Sequence, residues 1–279
     1  MSLLVVGALH WDVVVRAERL PRLDETLPGQ GVDYRFGGKG GNQAIAAARA
    51  GADVAFAGRI GADAAGRYMK RTLDAASVDI EQLQEGPGAS GMSVAIVEAR
   101  GDYGAVIVSA ENRSFDPAQV QIPNTCKLVL VQNELPKSTL AALANLARDA
   151  GAEFWMNAAP ATGLSATDLK IADVVIANRV EGADLTDETG PPEAVMAALR
   201  DLVGGRRIVL TLGAGGVMFT DGAHTIHAPA HQIPQGSVSH GAGDVFTGTL
   251  AAHVVNDAPF EAAVAAAQRA AADHIAQSR

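Results

Sequence analysis

A single cysteine, Cys126, in 279 residues excludes an intrachain disulfide and any thiolate metal cluster built from one chain. A chain of this length buries enough surface to stand on packing alone. Cys126 precedes the apolar run Leu128-Val129-Leu130-Val131, the setting of an inert, partly buried thiol and not of a nucleophile. Aromatic residues make up only 4%, so aliphatic side chains and alanine must build the core. No apolar run is long enough to span a membrane. Leu3-Leu4-Val5-Val6 is too short for a signal segment and has no basic cluster before it, and the sequence reads as cytoplasmic, with no membrane partner. Basic residues are also scarce: 22 Lys and Arg against 31 Asp and Glu leave a net charge of −9. That balance argues against a nucleic-acid partner and for a small-molecule one. No repeat of solenoid period is present.

What is present is alternation. Short strand-like runs at 3–6, 54–57, 128–131, 154–156, 174–177 and 208–212 interleave with alanine-rich helical segments at 42–50, 64–76, 138–150, 179–186, 192–202, 241–255 and 259–277. This is the pattern of an α/β fold with a mostly parallel central sheet and helices on both faces. Asp63 and Ser138 are the expected N-caps. No polar linker divides the chain, so 1–279 reads as a single domain. Residues 11–36 and 89–109 break the alternation, with strand-like pieces at 12–16, 32–36, 93–98 and 103–109. The last two are joined by a hairpin-like Ala99-Arg100-Gly101-Asp102, and the four together are expected to form a small separate sheet.

The most informative stretch is Gly236-Ser237-Val238-Ser239-His240-Gly241-Ala242-Gly243-Asp244-Val245-Phe246-Thr247-Gly248-Thr249. Gly241, Ala242 and Gly243 let backbone N–H groups approach an anion, the helix that follows adds its positive end, and Asp244 sits where a base meets an attacking alcohol. Taken alone, Asp244 reads as a helix cap. A second stretch reverses that balance: Phe36-Gly37-Gly38-Lys39-Gly40-Gly41-Asn42-Gln43 also runs from a glycine turn into an alanine-rich helix. There a polyhydroxyl ligand can lie against main chain while Lys39 and Asn42 bind its oxygens. It is not a Walker A loop, because Asp33 stands where the first glycine is required and Gly40 follows Lys39 in place of Ser or Thr. Nor is Gly213-Ala214-Gly215-Gly216 a dinucleotide fingerprint, because the strand-like Val217-Met218-Phe219-Thr220 follows it where a helix is needed.

These two stretches resemble the ribokinase-like carbohydrate kinases, the phosphofructokinase-B group, and the ribokinases most closely within it. The resemblance runs from about Leu3 to the C-terminal helix. It also takes in Gly7-Ala8-Leu9-His10-Trp11-Asp12, Gly58-Arg59-Ile60-Gly61-Ala62-Asp63-Ala64-Ala65-Gly66, Gln132-Asn133-Glu134-Leu135-Pro136, Asn157-Ala158-Ala159-Pro160, Asn178-Arg179-Val180-Glu181 and Thr211-Leu212-Gly213. It implies that the small sheet is a discontinuous lid over the sugar, from about 11–36 and 89–109, and that two lids pair in a homodimer.

The resemblance further implies ATP-dependent transfer of a γ-phosphoryl group to a primary hydroxyl of a small sugar, D-ribose giving ribose 5-phosphate. Asp244 would be the base, and the N–H groups of Gly241, Ala242, Gly243 and Asp244 would stabilise charge on the transferring group. His10, Asp12, Gly38, Lys39, Asn42 and Glu134 would contact the sugar. Asn178, Thr211 and Gly213 would face the nucleotide, and Glu181 with Asn178 would order Mg²⁺ arriving with ATP. His10 stands where ribokinases usually carry Asn, with Trp11 beside it, which leaves another pentose, a ketohexose or a nucleoside open as acceptor. Arg279 lies near the point where relatives continue through an adenine-side loop, which motivates a reading of another class, a catalytically weak sugar- or nucleotide-binding protein. Retention of Asp244 and the small residues before it argues against that reading.

Val238-Ser239-His240 replaces the Asp-Thr-Thr often found in the family. The carboxylate associated there with a potassium site is absent, which argues against monovalent-cation activation. Initial rates in potassium, sodium and tetramethylammonium chloride, at constant Mg²⁺ and ionic strength, are expected to coincide. A saturable activation by potassium alone would show that other oxygens rebuild the site.

Overall fold

The computed structural model describes residues 1–100, 102–220, 224–232 and 241–277. Val238, Ser239 and His240 of the proposed cation segment therefore lie outside the described residues, as do Gly101 of the hairpin and Arg279. The chain begins with β1 (Leu3–Val6), β2 (His10–Ala17), β3 (Gly31–Gly37) and α1 (Lys39–Arg49). It continues through β4 (Val54–Gly61), α2 (Ala64–Ala75), β5 (Leu83–Gly86), β6 (Met92–Glu98) and β7 (Tyr103–Val108). Crossovers then follow: β8 (Leu128–Gln132), α3 (Ser138–Asp149), β9 (Glu153–Asn157), α4 (Ala166–Lys170), β10 (Val174–Asn178), α5 (Arg179–Thr186), α6 (Pro192–Val203) and β11 (Arg207–Thr211). β12 (Val217–Thr220), β13 (Thr225–Ala228), α7 (Ala242–Val255) and α8 (Phe260–Gln277) complete it.

Nine strands form the central sheet in the order β13-β12-β11-β10-β9-β8-β1-β4-β5. The pairs from β11 to β5 are parallel, and β12 and β13 add an antiparallel edge. A strand buried on both faces divides its side chains by period two. In β1, Leu4 and Val6 join the core under α3, α4 and α6, while Leu3 and Val5 join the one under α1, α2, α7 and α8. Most of the buried aromatics serve the second layer: Trp155 is fully buried, lies edge-on to Phe260 at 6.1 Å, and donates its indole N–H to Glu153 Oε2 at 2.6 Å.

The small sheet is present as expected, four strands in the order β3-β2-β6-β7. β2 pairs antiparallel to β3 and parallel to β6, and β7 closes the hairpin with β6. Its strand β7 leaves Val106 65% and Ile107 61% exposed.

Several local expectations change. Asp63 caps α2, accepting from the Gly66 N–H at 2.7 Å. Ser138 does not cap α3: Lys137 precedes it with helical dihedrals, and the Thr139 N–H already bonds the Pro136 carbonyl, so the turn starts at the proline. α1 starts at Lys39, three residues before the expected 42, because burial against β1 overrides the poor helix propensity of Gly40 and Gly41. The short α4 went unread, although Ser165 and Asp168 form a capping box at its start. β5 and β13 were unread as well, each only four residues long.

α7 crosses α1 at Gly248, where a Cβ would lie 2.3 Å from the Gln43 carbonyl and 2.8 Å from Ala46 Cβ. Backbone cannot yield at such a contact. Gly248→Ala is expected to lower the unfolding free energy by about 1–3 kcal/mol, the usual cost of overpacking a core. Urea denaturation measures it, and an unchanged midpoint would show that the two helices slide apart freely.

Candidate active site

Parallel strands deliver their last residues to one edge, and the candidate site gathers there. Gln132, Asn157, Asn178 and Thr211 are the final residues of β8, β9, β10 and β11, with Gln132 level with Asn157 and Asn178 level with Thr211. The start of β2, just beyond the short loop after β1, brings His10 and Asp12, and the loop after β8 brings Glu134. α1 and α7 aim their N-termini at the same edge.

The glycine turn before α1 serves the chain itself first. Gly38 has φ 90, and a Cβ there would sit 2.5 Å from the Ala8 carbonyl; a Cβ on Gly40 would lie 2.6 Å from Gly7 Cα. The helix therefore starts hard against the β1–β2 connection, with the Lys39 N–H donating to Glu134 Oε2 at 2.8 Å. Lys39 makes no ion pair among the described residues.

α7 starts behind Gly241, which is left-handed at φ 77, with no side chain capping the first turn. Asp244 stands at the third helical position and does not act as the N-cap. Its Oδ1 accepts from Gln43 Nε2 at 2.9 Å and its Oδ2 from Asn42 Nδ2 at 3.3 Å. The two glycine motifs thus meet through side chains. Asp244, Gly243, Lys39, Asn178, Glu181 and Thr211 line one cleft of about 190 Å³. Asp12 and Asn42 line a larger groove of about 1060 Å³ on the other side of Gly241, which borders both. Lys39, read as a sugar ligand, therefore shares its cleft with the residues read as facing the nucleotide.

The remaining residues have mixed environments. Asn178 and Glu181 close a reciprocal capping box, each backbone N–H donating to the other's side chain at 2.8 Å. Burial pushes the Glu181 carboxyl above the ordinary range, against the Asn178 N–H and the Lys39 ammonium. Asp12 Oδ1 accepts from Ser93 Oγ at 2.7 Å, tying β2 to β6 inside the small sheet. His10 is 4% exposed and its Nε2 has no partner; burial pulls its pKa below the ordinary value, so the ring is neutral at pH 7. Gly213 begins a 3-10 turn behind β11, with nothing within 4 Å of the position a Cβ would take. Among the described residues no group of three or more acids, histidines or cysteines could hold a metal by itself, and no helix is long and apolar enough to cross a membrane.

Sequence reasoning quoted Gln43, Gln132 and Asn157 inside motifs without giving them a role. The structure places all three in a buried amide chain ending on Asp244. An amide beside Asn42 or at the end of a strand reads equally as an ordinary polar residue, and nothing local tells which distant partner it meets.

A glycine-opened helix start, with a carboxylate in its first turn and a cleft across the carboxyl ends of parallel strands, defines an α/β phosphotransferase. The chain belongs to the pfkB family carbohydrate kinases, whose pattern it matches over residues 1–278, and is an ATP-dependent kinase of that family. It is similar to the ribokinase of Bacillus subtilis (strain 168), 30% identical over 275 residues that cover 97% of this chain and 91% of the relative. A deoxyribokinase of Salmonella typhimurium is 28% identical over 278 residues, 95% of this chain and 89% of that one. Among solved structures, that of Arabidopsis thaliana ribokinase complexed with ribose and ATP superposes with a TM-score of 0.90 at 26% identity, covering 98% of this chain and 92% of the other.

Burial pushes the half-buried Glu134 up to about 7, against the Lys39 N–H and ammonium that hold it down. Its folded value lies above its unfolded one, so its contribution to stability is complete below about pH 4.5 and is lost as pH rises through about 7. Relative to Glu134→Gln, the wild type is expected to lose up to about 3 kcal/mol of unfolding free energy between about pH 5 and about pH 8. Urea titrations at both pH values check this, and parallel pH profiles would show that Glu134 is ionised throughout.

Proposed function

We propose that the protein transfers the γ-phosphoryl group of ATP to the primary hydroxyl of a small sugar, D-ribose yielding ribose 5-phosphate. The observation that carries this reading is the Asp244 carboxylate, which lines the smaller cleft and is held by Gln43 and by Asn42, itself part of the wall of the larger groove. A carboxylate in that position takes the hydroxyl proton as the sugar oxygen bonds to the γ-phosphorus and the bond to ADP breaks. The N–H groups of Gly241, Ala242 and Gly243 would meet the charge on the transferring group, whereas that of Asp244 already donates to the Gly241 carbonyl at 3.1 Å.

Asp12, Asn42, Lys39, Glu134, the Gly38 backbone and the unpartnered His10 Nε2 would bind sugar hydroxyls. Asn178, Thr211 and Gly213 would receive the nucleotide on the other side. One half-buried carboxylate beside an amide oxygen suits Mg²⁺ that keeps its waters and arrives on ATP, and Glu181 with Asn178 would hold that shell. The ion, when bound, spreads negative charge away from the phosphates. The ribokinase relatives favour ribose, while the deoxyribokinase keeps another pentose in view. The exposed aliphatic face of β7 favours pairing of two lids in a homodimer.

ADP release measured across D-ribose, 2-deoxyribose, other pentoses, a ketohexose and nucleosides tests the acceptor; a nucleoside as best substrate would replace ribose. Asp244→Asn keeps the size of the side chain and removes the base, so turnover is expected to fall by about 10²–10⁴-fold with ATP binding retained. Near-normal turnover would remove Asp244 from the base role, and absence of turnover with every acceptor would favour a weak binding protein.

A further inference from the structure

We infer that Gln43 is a positioning residue for Asp244, its amide oriented by a chain of hydrogen bonds that starts at the Ile176 carbonyl. A carbonyl only accepts, so Asn157 must present Nδ2 to it, at 3.2 Å, and turn Oδ1 toward Gln43. That oxygen in turn requires a donor, and Gln43 supplies Nε2 at 3.0 Å. The same Nε2 spends its second hydrogen on Asp244 Oδ1 at 2.9 Å. Gln43 Oε1 then faces the other way and accepts from Gln132 Nε2 at 2.7 Å.

Flipping the Gln43 amide would set its oxygen against both Asn157 Oδ1 and Asp244 Oδ1 and its NH₂ against that of Gln132. Every link is therefore directional. Gln43 is 0% exposed, with Gln132 and Asn157 also buried, so water cannot substitute for any of them. Among the described residues Gln132 leaves its own Oε1 without a partner, pressed toward Gly7, where a Cβ would fall 2.1 Å from it. A buried amide tolerates an orphaned oxygen only if its donor is needed. With Oδ1 held, the plane of the carboxylate and the bearing of Oδ2 toward Asn42 are set before substrate arrives.

The inference rests on Asp244 acting as the base. Its test is a double-mutant cycle of Gln43→Leu and Asp244→Asn, reading kcat and both KM values with D-ribose and ATP. A clamp that works through the carboxylate predicts that Gln43→Leu lowers kcat by about 10–100-fold with each KM within about threefold. In the Asp244→Asn background the same substitution should cost less than about twofold, because the group it positions is gone. A purely structural glutamine would give equal losses in both backgrounds, and that result overturns the inference, as does an unchanged kcat in Gln43→Leu. Should Gln43→Leu fail to fold, Gln132→Met keeps Gln43 and removes only the donor that orients its amide; it takes the same cycle with the same criteria. Near-normal turnover of Asp244→Asn would overturn the base role and this inference together. A damaged Asp244→Asn beside an undamaged Gln43→Leu would overturn this inference alone.

Discussion

Two backbone contacts, Gly40 on Gly7 and Gly248 on Gln43, hold α1 between β1 and α7 with no side chain in between. Everything else at the site depends on that spacing. Gln43 can reach Asp244 only because α7 lies one backbone radius from α1, and the Lys39 N–H can reach Glu134 only because the start of α1 lies on the β1–β2 connection. A methyl group at either contact would force the helix axis outward, and hydrogen bonds of 2.8–2.9 Å do not survive such a displacement. The same rigidity explains why the amide chain carries direction: its members sit on β8, β9 and α1, elements locked by the sheet and its helical layer.

The electrostatics of the site run against its purpose until its ligands are present. Asp12, Glu134, Glu181 and Asp244 place four carboxylates around the candidate site in a chain already carrying a net charge of −9. Lys39 is the cation placed among them, coupled to Glu134 and Glu181. Burial raises both of those acids, which reduces the negative charge facing a phosphate. Among the described residues no side chain caps the first turn of α7, whose positive end lies beside its own Asp244 carboxylate. Metal bound to the nucleotide would supply the remainder, consistent with the absence of a self-sufficient metal cluster among the described residues.

Much of this was legible in the order of residues. The β1, β4, β8, β9, β10 and β11 strands are built around short continuous apolar runs, which is what burial on both faces demands, whereas in the small sheet Val32-Asp33-Tyr34-Arg35-Phe36 alternates apolar and polar residues. Asp63 announced its helix because a cap acts on its own next turn. Asp244 and Lys39 were found from glycine context, a local property of chain that must approach an anion or another backbone.

What sequence could not supply is long-range. The assignment of Lys39 to the cleft of Asn178 and Glu181 follows from where α1 docks, and docking depends on residues such as Gly7 and Gly248, far away in the chain. Ser138 lost its cap to a turn begun by Pro136, and α1 gained a turn of glycines because burial outweighed propensity. The sequence by itself determined the family and the layers, and it pointed to Asp244 as the candidate base, since each reading rests on neighbours within a turn or a strand. Tertiary structure alone decided that Gln43, Gln132 and Asn157 form one directed chain behind Asp244. Hydrogen bonds between residues about 90 to 200 positions apart leave no local pattern, and their direction exists only once the Ile176 carbonyl is in place.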